Sequence, residues 1–308
     1  MQVKGYLSEK MKKFFIDELI SSPKINGGNE ETRKSLKDCL IFLVQNILPT
    51  VPNKVDYSQL PRLAPPYENC WFEWTKSVKR RDDVPEDFSG EFDDQMLDIM
   101  MNMEGDARIG IKLSSNRIDS EGWNLYFQFF LRIGNNLPLM FPLAYMAELD
   151  SEGFFVSMRK YIEEGINPIF NALTNEVLQD DMLQKPVDTV FYALGLLNCK
   201  NIVIMERGGQ PVGIKRNRNR KWVHRHYILQ IRPMREIAKI EYEDKKPEEE
   251  NESQDLSFHF CRGHFKVYTT EKPLFGKYVG TFWWDAHARG SIKKGIVTKD
   301  YDINSPDN

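Results

Sequence analysis

No histidine precedes position 224 in this 308-residue chain; the five it has are His224, His226, His259, His264 and His287. Cysteine is equally sparse. Cys39, Cys70, Cys199 and Cys261 stand far apart with no Cys-x-x-Cys pair, which excludes a zinc ribbon and points to reduced thiols in an intracellular, cytoplasmic protein. No run approaches the ~20 apolar residues of a membrane helix, so no membrane partner is expected. The opening Met1-Gln-Val-Lys-Gly-Tyr6 lacks the basic-then-apolar layout of a secretory signal. A Gly-rich phosphate loop, a Gly-x-Ser-x-Gly elbow and a His-Glu-x-x-His pair are all missing. The common signals for nucleotide, hydrolase and metalloprotease chemistry go with them, and no cofactor is implied. With 41% hydrophobic and 12% aromatic residues, there is ample material for a packed core over two or three units.

A net charge of −3 hides an asymmetry. Residues 201–308 carry 20 Lys and Arg against 15 Asp and Glu, whereas residues 1–200 carry 22 against 30. Eight of those 15 acids fall between Glu241 and Asp255. Outside that stretch the C-terminal part is basic, as suits a polyanionic partner whose counterions it displaces.

The spacing predicts a helix from Ser8 to about Ser21, a turn at Lys24–Glu30, and a second helix to about Leu48 that Pro49 stops. A loop from Pro61 to Pro66 delivers a strand at Cys70–Trp74. Lys79–Asp83 is charged, and Met96, Met100, Met101 and Met103 read as core filler. Period-two alternation marks a half-buried strand at Arg108–Leu113; Trp123–Ile133 and Leu139–Leu149 read as two more, joined by Gly134-Asn-Asn136. Helices are expected at Phe155–Leu178 and Val187–Cys199, a short buried strand at Asn201–Met205, and another at Trp222–Ile231. Residues 239–257, acidic and poor in large apolar side chains, read as a solvated linker. The expected division is an α+β main domain over 1–238, that linker, and a small basic β domain over 258–308. The fold class expected is therefore α+β: a helical N-terminus, a mixed central sheet with packed helices, and a small, barrel-like C-terminal β domain. Its strands are placed at Phe258–Tyr268, Tyr278–Trp284 and Ile296–Ile303, and its size argues that it docks on the larger domain.

Two constellations carry chemistry. The first is Lys215, Arg216, Arg218, Arg220 and Lys221, followed by Trp222, His224, Arg225 and His226. Cations beside an aromatic ring can grip a phosphate backbone and stack on a base; the same composition also makes an ordinary solvated hairpin tip. His224 and His226 share a strand face but lack an obvious carboxylate partner, so no metal site is assigned. The second is the C-terminal block. Arg262, Lys266, Lys277 and Arg289 are placed to contact phosphates, and Phe265, Tyr268 and Trp284 to stack on bases. The same block holds the groups for metal-independent RNA cleavage: His264 and His287 as base and acid, with Arg289 or another cation for the phosphorane charge. A third reading makes the histidines structural.

At this block the chain resembles a known family. His259-x-x-Arg262-Gly263-His264-Phe265-x-x-Tyr268, followed by an aromatic strand, is similar to the C-terminal signature of a widespread group of phage and mobile-element proteins. That group includes the type V-A anti-CRISPR that suppresses production of its CRISPR nuclease. The matching positions are His259, Arg262, Gly263, His264 and Tyr268; Phe265 stands where Trp is usual. The match covers roughly 30 residues, with a weaker echo in the Pro65-Pro66 turn before Trp74. Phe275-Gly-Lys277 and His287-Ala-Arg289-Gly290 depart from the characterised pattern. The resemblance implies a phage-borne counter-defence protein in the host cytoplasm that recognises a defence protein as a nascent chain and causes loss of its message. The function expected is binding of RNA or a ribosome–nascent chain complex to suppress a host defence protein. The alternatives are a ribonuclease built on His264 and His287, or a protein-only inhibitor that binds the defence protein directly.

Overall fold

The structure, a computed structural model, describes residues 14–25, 27–78, 105–118, 121–134, 138–162, 181–207, 211–212, 221–222, 225–232, 257–289 and 291–296. The chain forms two compact units. One comprises residues 1–198 and 204–230, the other 199–203 and 231–308. The fold is mixed α and β, dominated by strands.

The larger unit is built on an eight-stranded sheet in the order β6-β5-β4-β3-β2-β1-β10-β7. Strands β2 (Asn69–Val78), β3 (Gly105–Ile118), β4 (Gly122–Ile133), β5 (Leu139–Leu149) and β6 (Phe155–Ile162) make an antiparallel meander. Strand β1 (Leu40–Leu43) runs parallel to both β2 and β10 (His226–Ile231), and β7 (Ile202–Arg207) closes the far edge. Because successive side chains point to opposite faces, the register Trp71↔Lys112↔Gln128 defines one face and Cys70↔Leu113↔Phe127 the other.

The first face is covered by α1 (Phe15–Ser21) and α2 (Glu30–Leu36). Phe15, Leu19 and Leu36 pack with Trp71, Phe130 and Met140 in one buried cluster. Gly110 makes room for this packing, since a Cβ there would sit 2.0 Å from the Trp71 ring. Helix α2 starts at a reciprocal cap in which Asn29 Oδ1 accepts from Thr32 N at 2.8 Å and Thr32 Oγ1 accepts from Asn29 N at 3.3 Å. Helix α1 has no capping side chain of its own. Its first amides instead donate to the Glu73 carboxylate on β2, Phe15 N at 3.1 Å and Ile16 N at 3.3 Å, and Trp71 Nε1 joins them at 2.7 Å. Burial pushes the Glu73 carboxyl above its ordinary range, against the pull of these donors and of Arg108. Arg108 also pairs with Glu18, whose Oε2 lies 2.6 Å from Arg132 Nη1 in a second ion pair. Two acids and two arginines thus balance their charges beneath α1, as burial requires.

The opposite face is covered by α3 (Asp181–Leu197). Phe191 meets Phe127 at 5.1 Å between ring centroids, and Tyr57 bridges Phe191 and Phe155. Helices therefore sit on both sides of the sheet.

Several expectations need correction. Residues 40–43 are a strand, not the end of a helix: an apolar run buried on both faces mimics helical spacing, and β1 takes parallel partners on both sides. Phe155–Ile162 is the edge strand β6, because pairing with β5 outweighs local propensity. The helical N-terminus reduces, among the described residues, to the seven-residue helices α1 and α2. Strand β7 is an edge with Ile204 exposed, not a buried strand. The Trp222–Ile231 strand divides into β9 (Lys221–Trp222), paired with β8 (Pro211–Val212), and β10. The Lys79–Asp83 stretch, the four methionines, the part of the proposed linker before Ser257 and the strand beyond Ile296 lie outside the described residues.

In the smaller unit β11 (Ser257–Cys261) pairs antiparallel with β14 (His287–Arg289) and parallel with β15 (Ser291–Ile296), while β12 (His264–Tyr268) pairs antiparallel with β13 (Gly280–Trp284). These strands form a three-stranded sheet and a two-stranded ladder; among the described residues there is no closed barrel. The expected single strand Phe258–Tyr268 breaks at Arg262-Gly263. Segment 199–203 belongs to this unit: Asn201 Oδ1 accepts from Trp283 N at 2.8 Å, and its Nδ2 donates to Trp283 O at 2.7 Å and to Arg232 O at 3.2 Å.

Candidate nucleic-acid interface

The β12–β13 ladder sorts the sequence-predicted residues onto two faces. Its register pairs His264 with Trp284, Phe265 with Trp283, Lys266 with Phe282 and Tyr268 with Gly280. Alternation then puts His264, Lys266, Tyr268, Phe282 and Trp284 on one side, and Phe265 and Trp283 on the other. Lys266 Nζ lies 5.1 Å from the Tyr268 ring centroid and 5.8 Å from that of Trp284. An exposed cation held between two aromatic rings is thereby set on this face. Below it Leu274 and Phe282 are buried, with Tyr268, Tyr278 and Trp284 packed on them.

Phe265 does not join the stacking set. It packs on the buried Trp283 ring, 4.9 Å between centroids, so its partner is the fold. Gly263 explains itself by the same ring: a Cβ there would lie 2.5 Å from Trp283 Cζ2, so the Arg-Gly-His step needs glycine for close approach. Trp283 is further held by Asp285, whose carboxylate accepts from Nε1 at 3.0 Å.

His264 and His287 are both exposed and share one local device. His264 Nδ1 lies 3.0 Å from the Arg262 carbonyl, and His287 Nδ1 lies 2.9 Å from that of Asp285. A carbonyl only accepts, so each contact is a hydrogen bond when Nδ1 carries the hydrogen, and that tautomer turns Nε2 away as an acceptor. The register places His287 opposite Cys261, and Arg289 opposite His259.

The remaining cations are exposed: Arg262 beside His264, and Lys277, whose Nζ lies 5.1 Å from the Tyr278 ring centroid. Lys277 follows a turn in which Phe275 and Gly276 have φ of 53° and 72° and Lys277 N donates to Leu274 O at 3.1 Å, the pattern of a type I′ turn. Of the first basic constellation, Lys221 lies in β9 opposite Val212; Lys215, Arg216, Arg218, Arg220 and His224 lie outside the described residues. Arg225 pairs with Glu206 at 3.0 Å. His226 is buried with its ring 4.6 Å from that of Phe14, so it serves the core of the larger unit.

Sequence reasoning missed Asn201, which fixes β13 through its backbone, and Asp285, which anchors the Trp283 indole. Asp285, two residues beyond a Trp on a strand, carried a readable spacing; Asn201 carried none. The cysteines form no disulfide. Burial pushes the Cys39 thiol up to about 11 and those of Cys70 and Cys199 to about 12, which leaves them protonated at neutral pH. Among the described residues no three His, Cys, Asp or Glu side chains gather as a metal site, and no helix is long and apolar enough to cross a membrane. Comparison with protein-family models, with curated proteins and with solved structures finds no match for this chain.

Proposed function

We propose that the smaller unit binds single-stranded RNA on the β12–β13 face. Tyr268 and Trp284 stack on bases, and Arg262, Lys266 and Lys277 contact phosphates. The observation that carries this reading is the exposed Lys266 seated between two half-buried aromatic rings on one strand face. Alternating rings and cations bind single strands because every base has a π-face and every linkage a charge. His264 Nε2 adds an acceptor for a base or 2′-hydroxyl at the edge of the same face. The resemblance around Arg262-Gly263-His264 supports a setting for this binding. In it a phage or mobile-element protein in the host cytoplasm engages RNA or a translating ribosome to suppress a defence protein.

Ultraviolet cross-linking of a labelled oligouridylate to the full chain, followed by peptide mapping, tests the interface. Cross-links within 262–268 and 277–284 are expected; cross-links confined to other segments overturn the assignment. RNA that stays intact through the incubation agrees with binding. Cleavage lost on His264→Ala and His287→Ala replaces it with the ribonuclease reading, for which both exposed Nε2 atoms are available. For the setting, capture of a defence protein from infected cells should be lost on nuclease treatment; capture that survives it favours the protein-only inhibitor.

A further inference from the structure

The larger unit contains a cavity of about 1220 Å³ between the α3-side face of the sheet, the 45–57 segment and α3. Its wall is mainly apolar, with Trp74, Ile109, Phe129, Phe141 and Met158 among the lining residues. One side carries a closed polar cluster. The Tyr57 hydroxyl donates to Asp188 Oδ1, and Gln184 Nε2 donates to the Tyr57 oxygen and, at 3.1 Å, to the same Asp188 oxygen. Lys54, Lys76 and Lys185 also line the cavity, and all three are exposed. Lys185 Nζ donates to Asn53 O at 3.2 Å and Asn53 Oδ1 at 3.3 Å. Among the described residues none of the three lysines forms an ion pair.

We propose that this cavity binds a small amphipathic anion, an apolar body ending in a carboxylate or phosphate, with the body against Trp74 and Phe129 and the anionic end at Lys54, Lys76 and Lys185. Charge decides the sign of the ligand. Three cations face one acid, and that acid already accepts from two donors. A cationic head group placed at Asp188 would gain one partner and meet repulsion from Lys185. The lining decides the class: a wall of aromatic and aliphatic side chains around a few placed polar groups is the usual chemistry of small-molecule sites, and the volume lies just above the roughly 300–1,000 Å³ that such sites occupy, room enough for a ligand with an extended apolar body.

The test uses the full chain at neutral pH with 1-anilinonaphthalene-8-sulfonate as fluorescent reporter. Its competitors are decanoate, decyl phosphate, decanol and decyltrimethylammonium, each below its micellar concentration. One or both anions should displace the reporter at roughly fivefold lower concentration than decanol, the difference that one partly screened charge contact makes. Lys54→Gln and Lys185→Gln, exposed substitutions that leave the fold intact, should each weaken the anion by roughly threefold to fivefold and leave decanol unchanged. Asp188→Asn, which keeps an oxygen for Tyr57, should strengthen the anion. The proposal is overturned if the reporter does not bind. It is overturned equally if decanol matches the anions in every variant, or if the ammonium competitor binds best.

Discussion

Asn201→Ala removes three hydrogen bonds from a side chain only 2% exposed. Two of them are to the N–H and C=O of a single residue, Trp283, so Asn201 acts as a one-residue strand partner for β13. Alanine offers neither donor nor acceptor, and Trp283 is only 1% exposed, so water does not replace the lost partner. Each buried backbone group left unpaired costs about 1–3 kcal/mol, so the pair costs about 3–5 kcal/mol when some relaxation is allowed. The neighbouring bond from Lys200 N to Thr281 O, 2.8 Å, survives the substitution and keeps the segment near. Hydrogen exchange of the Trp283 amide reads the effect locally, without assuming that the whole chain unfolds as one. Its protection should fall by roughly a hundredfold or more, at 1.4 kcal/mol per tenfold. An Asn201→Ala protein with an unchanged Trp283 exchange rate would refute the view that this side chain holds β13 in place.

Gly263→Ala should destabilise the smaller unit by about 1–3 kcal/mol, because the Trp283 ring it strikes is buried, tied at Nε1 to Asp285 and packed against Phe265; urea unfolding monitored by indole fluorescence checks this. Glu73 titrates above its ordinary 4.5 in the folded chain. Between that value and the raised one the native state holds a proton that the unfolded chain has lost, so the contribution of Glu73 is fullest at the acid end and falls as pH rises. Glu73→Gln should flatten that part of the stability–pH curve, measured by denaturation across the acid range. At neutral pH it should cost about 3 kcal/mol or more, by setting an amide N–H against the α1 amides and leaving Arg108 without its second acid.

The meander was legible wherever alternation was clean: Arg108–Leu113, Trp123–Ile133 and Leu139–Leu149 all fall within strands β3, β4 and β5. Two segments were misread for physical reasons. Leu40-Ile-Phe-Leu43 is buried among neighbours on both sides, so no polar residue marks its period. Phe155–Ile162 becomes a strand only through β5, a partner outside its own sequence window. Long-range polar contacts were also hidden. Nothing near Phe14 or Phe15 announces that their helix is capped by Glu73, 58 positions on from Phe15. In the candidate interface, the residue types at 262–268 and 277–284 were readable as cationic and aromatic. Which of them share a face was not, because that depends on the β12–β13 register. Hence Lys266, Tyr268 and Trp284 come together while Phe265 lies on the opposite face against Trp283. The cavity of the larger unit was invisible for the same reason, since its lining comes from seven separated stretches of chain.

The most direct test of the interface is the salt dependence of oligouridylate binding by the full chain and by its Lys266→Gln and Arg262→Gln variants. If Arg262, Lys266 and Lys277 each neutralise a phosphate, the logarithm of the association constant should fall against the logarithm of salt with a slope near −2, at roughly 0.7 per contact for a single strand. Each substitution should remove about 0.7 from that slope. Binding with no salt dependence, or a slope that both variants leave untouched, would contradict an RNA interface on this face.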